Sequence, residues 1–400
     1  MRLSARIARI QPSITLAISA KAQRLAQAGH DIISFGIGEP DFDTPAHIKE
    51  AAILAIQRGA SKYTAVAGIP ELRAAAAAEL SRTHGVTLTP EQIVVSTGAK
   101  QCLFNILTAL LDDGDEVIVP TPCWPSHVEL VRMAGGVAVL CPQRAEDGFA
   151  LDPEAVARLI TPRTRAVLLN SPSNPTGAVY SKESLLGLAE VIRRANNPEL
   201  LIITDDLYRR LCYAPTQFAS FAQLAPDLAA RTILVDGVSK AYAMTGWRIG
   251  FCAAPLPLAT AMQTIQGQVT TNATAVAQHA ALAALLGDQA PVAAMVAEFD
   301  ARRQLMYRTL MAVPGIVCKE PQGAFYCFPD FAAYLHAARG GRAPQDEVAL
   351  CDYLLSEVGI ACVPGSGFFA PGHLRFSYAT SQQKIADGLA RLSVGLSRLG

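Results

Sequence analysis

Short apolar runs alternate with amphipathic stretches through the middle of the chain. Ile93-Val-Val-Ser-Thr97, Asp115-Glu-Val-Ile-Val119, Gly136-Val-Ala-Val-Leu140 and Arg165-Ala-Val-Leu-Leu169 read as strands. So do Leu200-Leu-Ile-Ile-Thr204, Thr232-Ile-Leu-Val235 and Ile249-Gly-Phe-Cys252. Helices are predicted between them, over Lys100 to Leu111, His127 to Met133, Pro153 to Ile160 and Lys182 to Ala195. Apolar runs this continuous suit strands covered on both faces. Their alternation with helices predicts an α/β architecture, a mostly parallel sheet with helices on both sides. In open sheets of that kind ligands bind beyond the carboxyl ends of the strands.

The ends of the chain carry other patterns. Ile14, Ala17, Ile18 and Leu25 fall on one helical face, which predicts an N-terminal arm packed on the fold. Its basic start, Met1 to Arg9, before an apolar patch resembles a targeting peptide, the alternative reading. Gln11, Pro12, Ser13 and Lys21 interrupt that pattern. The Ala-rich stretch Ala273 to Val296 contains Gln278, His279, Asp288 and Gln289 and reads as soluble helix. No apolar run reaches the ~18 residues of a spanning helix, so no membrane partner is expected. Two domains are predicted. A large one covers residues 46–285, and a smaller α+β one combines 1–45 with 286–400, where Ile316-Val-Cys318 and Leu374-Arg-Phe-Ser377 read as strands.

Composition narrows the classes. Lys+Arg and Asp+Glu both number 34, so no nucleic-acid footprint is present. The nine cysteines are scattered, odd in number and never spaced C-x-x-C. That argues against structural metal and disulfides and points to a reducing cytoplasm.

Polar residues then cluster just past separate strands. Lys240 follows the sixth, in a turn of small residues, with Arg248 a short loop further on. A lysine held among apolar groups is easier to deprotonate and can form a Schiff base. An arginine nearby can clamp a phosphate. That pair is what pyridoxal 5′-phosphate (PLP) requires, although a surface lysine beside an ordinary turn is the plainer reading of the pair alone. Ala99 and Lys100 open a helix whose N–H groups could cradle a phosphate. Trp124 could stack on a ring or pack in the core. Asn174 sits in a Pro- and Gly-punctuated loop that by itself reads as a turn. Asp205 ends an apolar strand, where it could pair with a protonated pyridine nitrogen or cap a helix. Tyr208, three residues on, could hydrogen-bond the cofactor's phenolic oxygen.

Ordered blocks extend these loops. They run from Pro12-Ser-Ile-Thr-Leu-Ala17 and Gly38-Glu-Pro-Asp-Phe-Asp-Thr-Pro45 through Lys62-Tyr-Thr-Ala-Val-Ala-Gly-Ile-Pro-Glu-Leu-Arg73. Asn174-Pro-Thr-Gly177, Ser239-Lys240 and Ala243-Met-Thr-Gly-Trp-Arg-Ile-Gly250 follow. Gly323-Ala-Phe-Tyr326 and Arg375-Phe-Ser-Tyr-Ala379 close the series. With these blocks the chain resembles a PLP-dependent class I/II aminotransferase of fold type I, nearest the bacterial aspartate and aspartate/prephenate branch.

The resemblance implies a PLP enzyme that moves an amino group between an L-amino acid and a 2-oxo acid by a ping-pong route, with an acidic donor such as aspartate. Lys240 would carry the cofactor and move the Cα proton. Asp205 would pair with the ring nitrogen, Tyr208 and Asn174 would hold the ring oxygen, and Trp124 would stack on the ring. Arg248 would clamp the phosphate with the Ala99 and Lys100 backbone. Arg375 would take the substrate α-carboxylate, helped by Gly38, Asn174 and the neighbouring Trp124. Tyr63 would reach the phosphate of a neighbouring subunit, which implies a homodimer with shared active sites.

Some positions depart from the pattern. Gly237 stands where other branches have a phosphate-binding serine, Gln11 where relatives often have lysine, and Cys123 where tyrosine is common. Lys100 and Thr15 become candidates for reading the substrate side chain. Other same-fold chemistry (a β-lyase or cyclase), a donor with a neutral or aromatic side chain, and a non-catalytic binding protein are the alternatives.

Overall fold

The computed structural model describes residues 1, 3–4, 7–12, 14–336 and 343–399. Arg2, Arg6 and Ser13 of the N-terminal stretch, and residues 337–342 of the predicted small domain, lie outside the described residues.

The strands are β1 (Ile33–Ser34), β2 (Ile93–Ser96), β3 (Glu116–Thr121), β4 (Val137–Pro142), β5 (Thr164–Asn170) and β6 (Leu201–Asp205). Then come β7 (Thr232–Gly237), β8 (Gly250–Ala253), β9 (Tyr326–Cys327), β10 (Ile360–Ala361), β11 (Val363–Pro364) and β12 (Leu374–Ser377). Among the described residues the largest sheet has seven strands, in the order β2-β8-β7-β6-β5-β3-β4. The pairs β3–β4, β3–β5, β5–β6 and β6–β7 are parallel. β8 is antiparallel to both β2 and β7. Since β8 reverses between them, β2 and β7 point the same way. The carboxyl ends of β2, β3, β5, β6 and β7 therefore share one edge with the amino end of β8. That reversal brings Arg248, just before β8, to the edge where Lys240 leaves β7.

Alternate residues explain the continuous apolar runs. Ala166 and Leu168 of β5 pack on one face with Leu103 and Ile106 of the helix Ala99–Leu110. Val167 and Leu169 pack on the other with Leu185, Leu188 and Ile192 of the helix Lys182–Arg194. Both faces are covered, so both sets of side chains are apolar. Ser181 caps the second helix, its Oγ accepting from the Ser184 N–H.

Three expectations are corrected. The stretch from Ala273 to Val296 is not one helix but parts of two, Ala275–Leu286 and Ala290–Met311, bent by 80°. Gly287 ends the first, and a proline at the start of the second fits a helix opening. Ala277, Ala280, Ala281 and Ala284 are apolar because they pack in the core beneath β2. No single described helix is long and apolar enough to cross a membrane. Ile316-Val-Cys318 is no strand; only an isolated bridge joins Val317 to Asp330. In the helix Ile14–Gln27, Ala17 is exposed. The packed side runs through Ile14, Ile18, Ala22 and Leu25 instead.

The C-terminal part holds an antiparallel sheet of order β11-β12-β9 and a parallel pair, β1 with β10. An aromatic core of Phe35, Phe299, Phe325, Phe331 and Phe376 backs them. β12 carries Arg375 and β9 carries Tyr326.

Candidate active site

Lys240 directs its amine across the sheet edge and donates to the Gly38 carbonyl at 2.6 Å. The amine lies 5.8 Å from the ring centres of Tyr208 and Phe325. The residue keeps some surface open to the cleft, while protein atoms crowd the amine itself. That burial is the main reason its pKa falls to about 8. The Glu39 charge opposes the fall, and those of Arg375 and Arg248 add to it.

Asp205 ends β6 and is buried. A turn follows it rather than a helix, so it caps nothing. Its Oδ2 lies 2.9 Å from Nε2 of His127, a buried residue of the helix Pro125–Met133. Its Oδ1 accepts from the Leu207 N–H at 3.4 Å. The backbone carbonyl of Asp205 accepts from Asn170 Nδ2 at 2.9 Å. Asn170 Oδ1 in turn accepts from the Asn174 N–H at 3.0 Å. One amide thus ties the Asp205 strand end to the Asn174 loop.

Trp124 precedes the His127 helix and meets His127 edge-on, ring centres 5.3 Å apart. Lys100 Nζ stands 4.8 Å from the Trp124 ring centre, a cation–π distance. Burial of the amine, then the Arg248 charge, draws the Lys100 pKa below its usual value, although the side chain as a whole stays exposed.

Two glycines build a cradle. Gly98, at φ +84°, precedes the helix Ala99–Leu110, and a Cβ there would lie 2.5 Å from Arg248 Nη2. A Cβ on Gly250 would overlap the Ala99 nitrogen. Only without those atoms do the helix start, β8 and the guanidinium come together. The first N–H groups of that helix lack intrahelical acceptors. Arg248 itself, at φ 57°, is exposed and donates to the Thr245 carbonyl at 3.0 Å and the Thr97 carbonyl at 3.4 Å. Among the described residues no carboxylate pairs with it. The serine absent at 237 has a local reason. A Cβ on Gly237 would press on the Ile249 carbonyl at 3.0 Å and on Leu207 at 3.2 Å.

Arg375 is only 2% exposed. Nη1 donates to Asn174 Oδ1 and Nη2 to the Gly36 carbonyl, both at 2.9 Å. Its guanidinium carbon lies 4.5 Å from the Tyr326 ring centre and 4.9 Å from that of Phe368. Nε has no partner among the described residues, and both acceptors are neutral. Burial pulls its pKa down, which is the penalty for a cation without a counter-ion.

Lys240, Asp205, Tyr208, Asn174, Arg375 and Gly38 therefore belong to one connected cluster, with Trp124, Lys100, Ala99 and Arg248 along the same edge. Tyr63 is not brought to it within this chain; it is 88% exposed. Gln11, by its backbone N–H, holds Glu129 Oε2 at 3.0 Å, and Thr15 is half-buried on the arm. Burial raises the thiol pKa of Cys123. Sequence reasoning missed His127, Asn170, Tyr326 and Glu39 as members. His127 had a usable signal, since it lies one helical turn beyond Trp124. Asn170 stands at the very end of β5. Tyr326, whose hydroxyl lies 2.8 Å from that of Tyr208, had no signal for that pairing.

The chain matches the family model for aminotransferase class I and II over residues 30–392. It is similar to the aspartate/prephenate aminotransferase of Nitrosomonas europaea, 44% identical over 399 residues, covering 99% of this chain and 100% of that one. Similarity is equally broad to the aspartate aminotransferase of Geobacillus stearothermophilus, 44% identical over 392 residues and 98% of each chain. Among solved structures, the aspartate aminotransferase of Thermus thermophilus with maleate superposes with a TM-score of 0.92 at 43% identity, over 99% of this chain and 100% of that one. Fold, cluster and full-length likeness agree: the chain belongs to the class I and II aminotransferases, a family that works with pyridoxal 5′-phosphate.

Proposed function

We propose that this aminotransferase takes the amino group of an acidic L-amino acid, aspartate foremost, and delivers it to a 2-oxo acid. The observation that carries this reading is Arg375: a buried cation with neutral acceptors and an unpartnered Nε, set beside an amine of lowered pKa. An α-carboxylate supplies the charge that the protein withholds.

The residues fit PLP. The Gly98–Gly250 cradle, with Arg248 and the helix start, suits a phosphate. Asp205, fixed by His127, suits a cationic ring nitrogen, and Tyr208 and Asn174 suit the ring oxygen. Trp124 offers a stacking face. Lys240 is the attachment point. When bound, PLP supplies the electron sink for charge left at the substrate Cα.

The chain does the rest. Arg375, with Asn174 and the Gly38 segment, orients the substrate carboxylate. Lys240 would take the Cα proton as general base and hold it for return as general acid. An amine with pKa about 8 is mostly protonated at neutral pH but readily gives its proton up, as general acid–base work requires. Trp124 and the aromatic wall of Tyr326 and Phe368 exclude water from the reacting carbon.

Acidic preference draws support from relatives named for aspartate and from the maleate, a dicarboxylate, in the Thermus structure. Lys100, at the rim beside Trp124, is the candidate reader of the distal carboxylate. Gln11, a neutral amide where relatives often carry lysine, weakens the case for prephenate.

We also propose a homodimer. Tyr63 is exposed, as are Ile53, Leu54 and Ile56 on the helix Ala46–Gln57, a face that a second subunit would cover. The domain limits proposed are 46–285 for the large unit and 1–45 with 286–400 for the small one. Nine free thiols suit a reducing cytoplasm.

Incubating holoenzyme with aspartate alone tests the reading. Stoichiometric oxaloacetate with the amino group retained on the protein is expected. No oxaloacetate from aspartate, with pyruvate and ammonia released instead from an L-cysteine S-conjugate whose β-thiol can leave, would mark a β-lyase and overturn it.

A further inference from the structure

Tyr326 is a buried residue that touches Tyr208, Arg375 and Gly38 and, beyond walling the site, holds no group of cofactor or substrate in the proposed chemistry. Its hydroxyl lies 2.8 Å from that of Tyr208. Its ring lies beneath the Arg375 guanidinium, 4.5 Å from centre to Cζ. A Cβ on Gly38 would come within 3.1 Å of the same hydroxyl. β9 holds the residue in place through its pairing with β12, Tyr326 opposite Ser377, two residues from Arg375. One side chain thus joins the ring-oxygen donor, the carboxylate clamp and the Lys240-holding segment.

Two hydroxyls at that distance share one proton between them. The residue that donates leaves its partner's proton free to point elsewhere. Tyr208 faces Lys240, Asp205 and Arg375, whereas Tyr326 faces Arg375 and Gly38. Among the described residues neither hydroxyl has another hydrogen-bond partner, and the proposed ring oxygen would stand on the Tyr208 side.

We propose that Tyr326 is a positioning residue for the transamination: its hydroxyl donates to Tyr208 and so aims the Tyr208 proton at the cofactor's phenolic oxygen. This rests on the aminotransferase reading above. Chained hydrogen bonds polarise one another, so Tyr208 becomes a stronger donor than it would be alone. Because the same ring supports Arg375, seating of the substrate carboxylate and polarisation of the ring oxygen share one support. Residue 38 must then stay small, since any Cβ there crowds the donating hydroxyl.

Three holoenzymes test this beside wild type: Tyr326→Phe, Tyr208→Phe and the double variant. The main readout is the pH midpoint of the cofactor's visible absorbance band. A hydrogen bond donated to the phenolic oxygen favours its ionised form, so weakening that bond raises the midpoint. Tyr326→Phe is expected to raise it by roughly 0.5–1 pH unit, the size of one net hydrogen bond. Tyr208→Phe is expected to raise it further. The double variant is expected to match Tyr208→Phe, because Tyr326 acts only through Tyr208. A midpoint unmoved in Tyr326→Phe, or a Tyr326→Phe shift that adds in full to that of Tyr208→Phe, would overturn the proposal. Gly38→Ala supplies a second measurement, with a several-fold loss of kcat in wild type and a smaller one in the Tyr326→Phe background; equal losses would also overturn it. A wild-type protein with no PLP band sinks the functional reading itself, whereas a normal band with a silent Tyr326→Phe sinks only this inference.

Discussion

Arg375 and Arg248 flank the Lys240 amine from opposite ends of the site. Arg375 is 2% exposed and clamped by Asn174 and Gly36, on a four-residue strand of the small sheet. Arg248 is exposed, lies in a left-handed turn and rests on two backbone carbonyls. At the Arg375 end the protein fixes the cation before any ligand arrives. At the Arg248 end glycines clear a space, the proposed seat of the cofactor phosphate, and the guanidinium there pairs with no carboxylate among the described residues. Preorganisation is what a residue needs if it must sort substrates on every turnover. A cofactor anchor needs only a deep net of donors. Both charges lower the Lys240 pKa, so the two ends meet at the amine.

The largest effect should come from removing the preorganised end. Arg375→Ala is expected to lower kcat/KM for aspartate by roughly 10²–10³-fold, the cost of unpairing a buried carboxylate contact. Arg375→Lys is expected to recover little, since a point charge cannot replace the fork. PLP affinity, measured by equilibrium dialysis, should change far less. A loss carried mainly by PLP affinity would erase the distinction between the ends.

Arg248→Ala should behave in the opposite way. The PLP dissociation constant is expected to rise about 10–100-fold, the worth of one or two charge-assisted hydrogen bonds. Saturating PLP should restore most of kcat. Failure of excess cofactor to restore it would place Arg248 in the chemistry rather than the anchor.

Gly98→Ala sharpens the open end. The backbone there sits at φ +84°, and the added methyl meets Arg248 Nη2. A stability loss of about 1–2 kcal/mol in urea unfolding is expected, with weakened PLP binding beside it. Unchanged stability would mean that the cradle yields.

The smallest effects concern pH. In the cofactor-free protein the Lys240 pKa of about 8 lies below the ordinary lysine value of 10.5. The unfolded chain therefore holds a proton that the native state has lost between those two pH values. Stability should rise from about pH 8 to about 10.5 and be lower throughout the range below 8. Lys240→Met should flatten that rise. Arg375→Met should raise the Lys240 pKa more than Arg248→Met does, by NMR titration, following the order of the two influences. The reverse order would contradict the picture of Arg375 as the stronger influence on the amine.

Legibility followed the same divide. The large sheet could be read because its central strands are buried on both faces and stand as continuous apolar runs. Residues just past those runs, Lys240, Asp205 and Asn174 among them, could then be placed on one edge by the carboxyl-end rule alone. Strand β8 was legible as Ile249-Gly-Phe-Cys252, but its reversal was not, because direction leaves no mark on composition. The small sheets were harder still. β1, β9, β10 and β11 are two residues each, too short to show any period. Ile316-Val-Cys318 is apolar enough for a strand yet makes one bridge. The bend after Leu286 hid inside an alanine-rich run whose apolarity comes from core packing. Partners such as His127 for Asp205 and Tyr326 for Tyr208 lie 78 and 118 residues away, and no local pattern records such pairs.

Everything above turns on the amine between the two arginines, and proton exchange at the substrate Cα reads that amine directly. Holoenzyme would be incubated with L-aspartate in D₂O without a 2-oxo acid, and loss of the α-proton followed by NMR. Wild type is expected to exchange that proton, and Lys240→Ala to slow the exchange by at least about 10³-fold while Arg248→Ala at saturating PLP stays within a few-fold. Exchange in Lys240→Ala at a rate close to wild type would contradict the account.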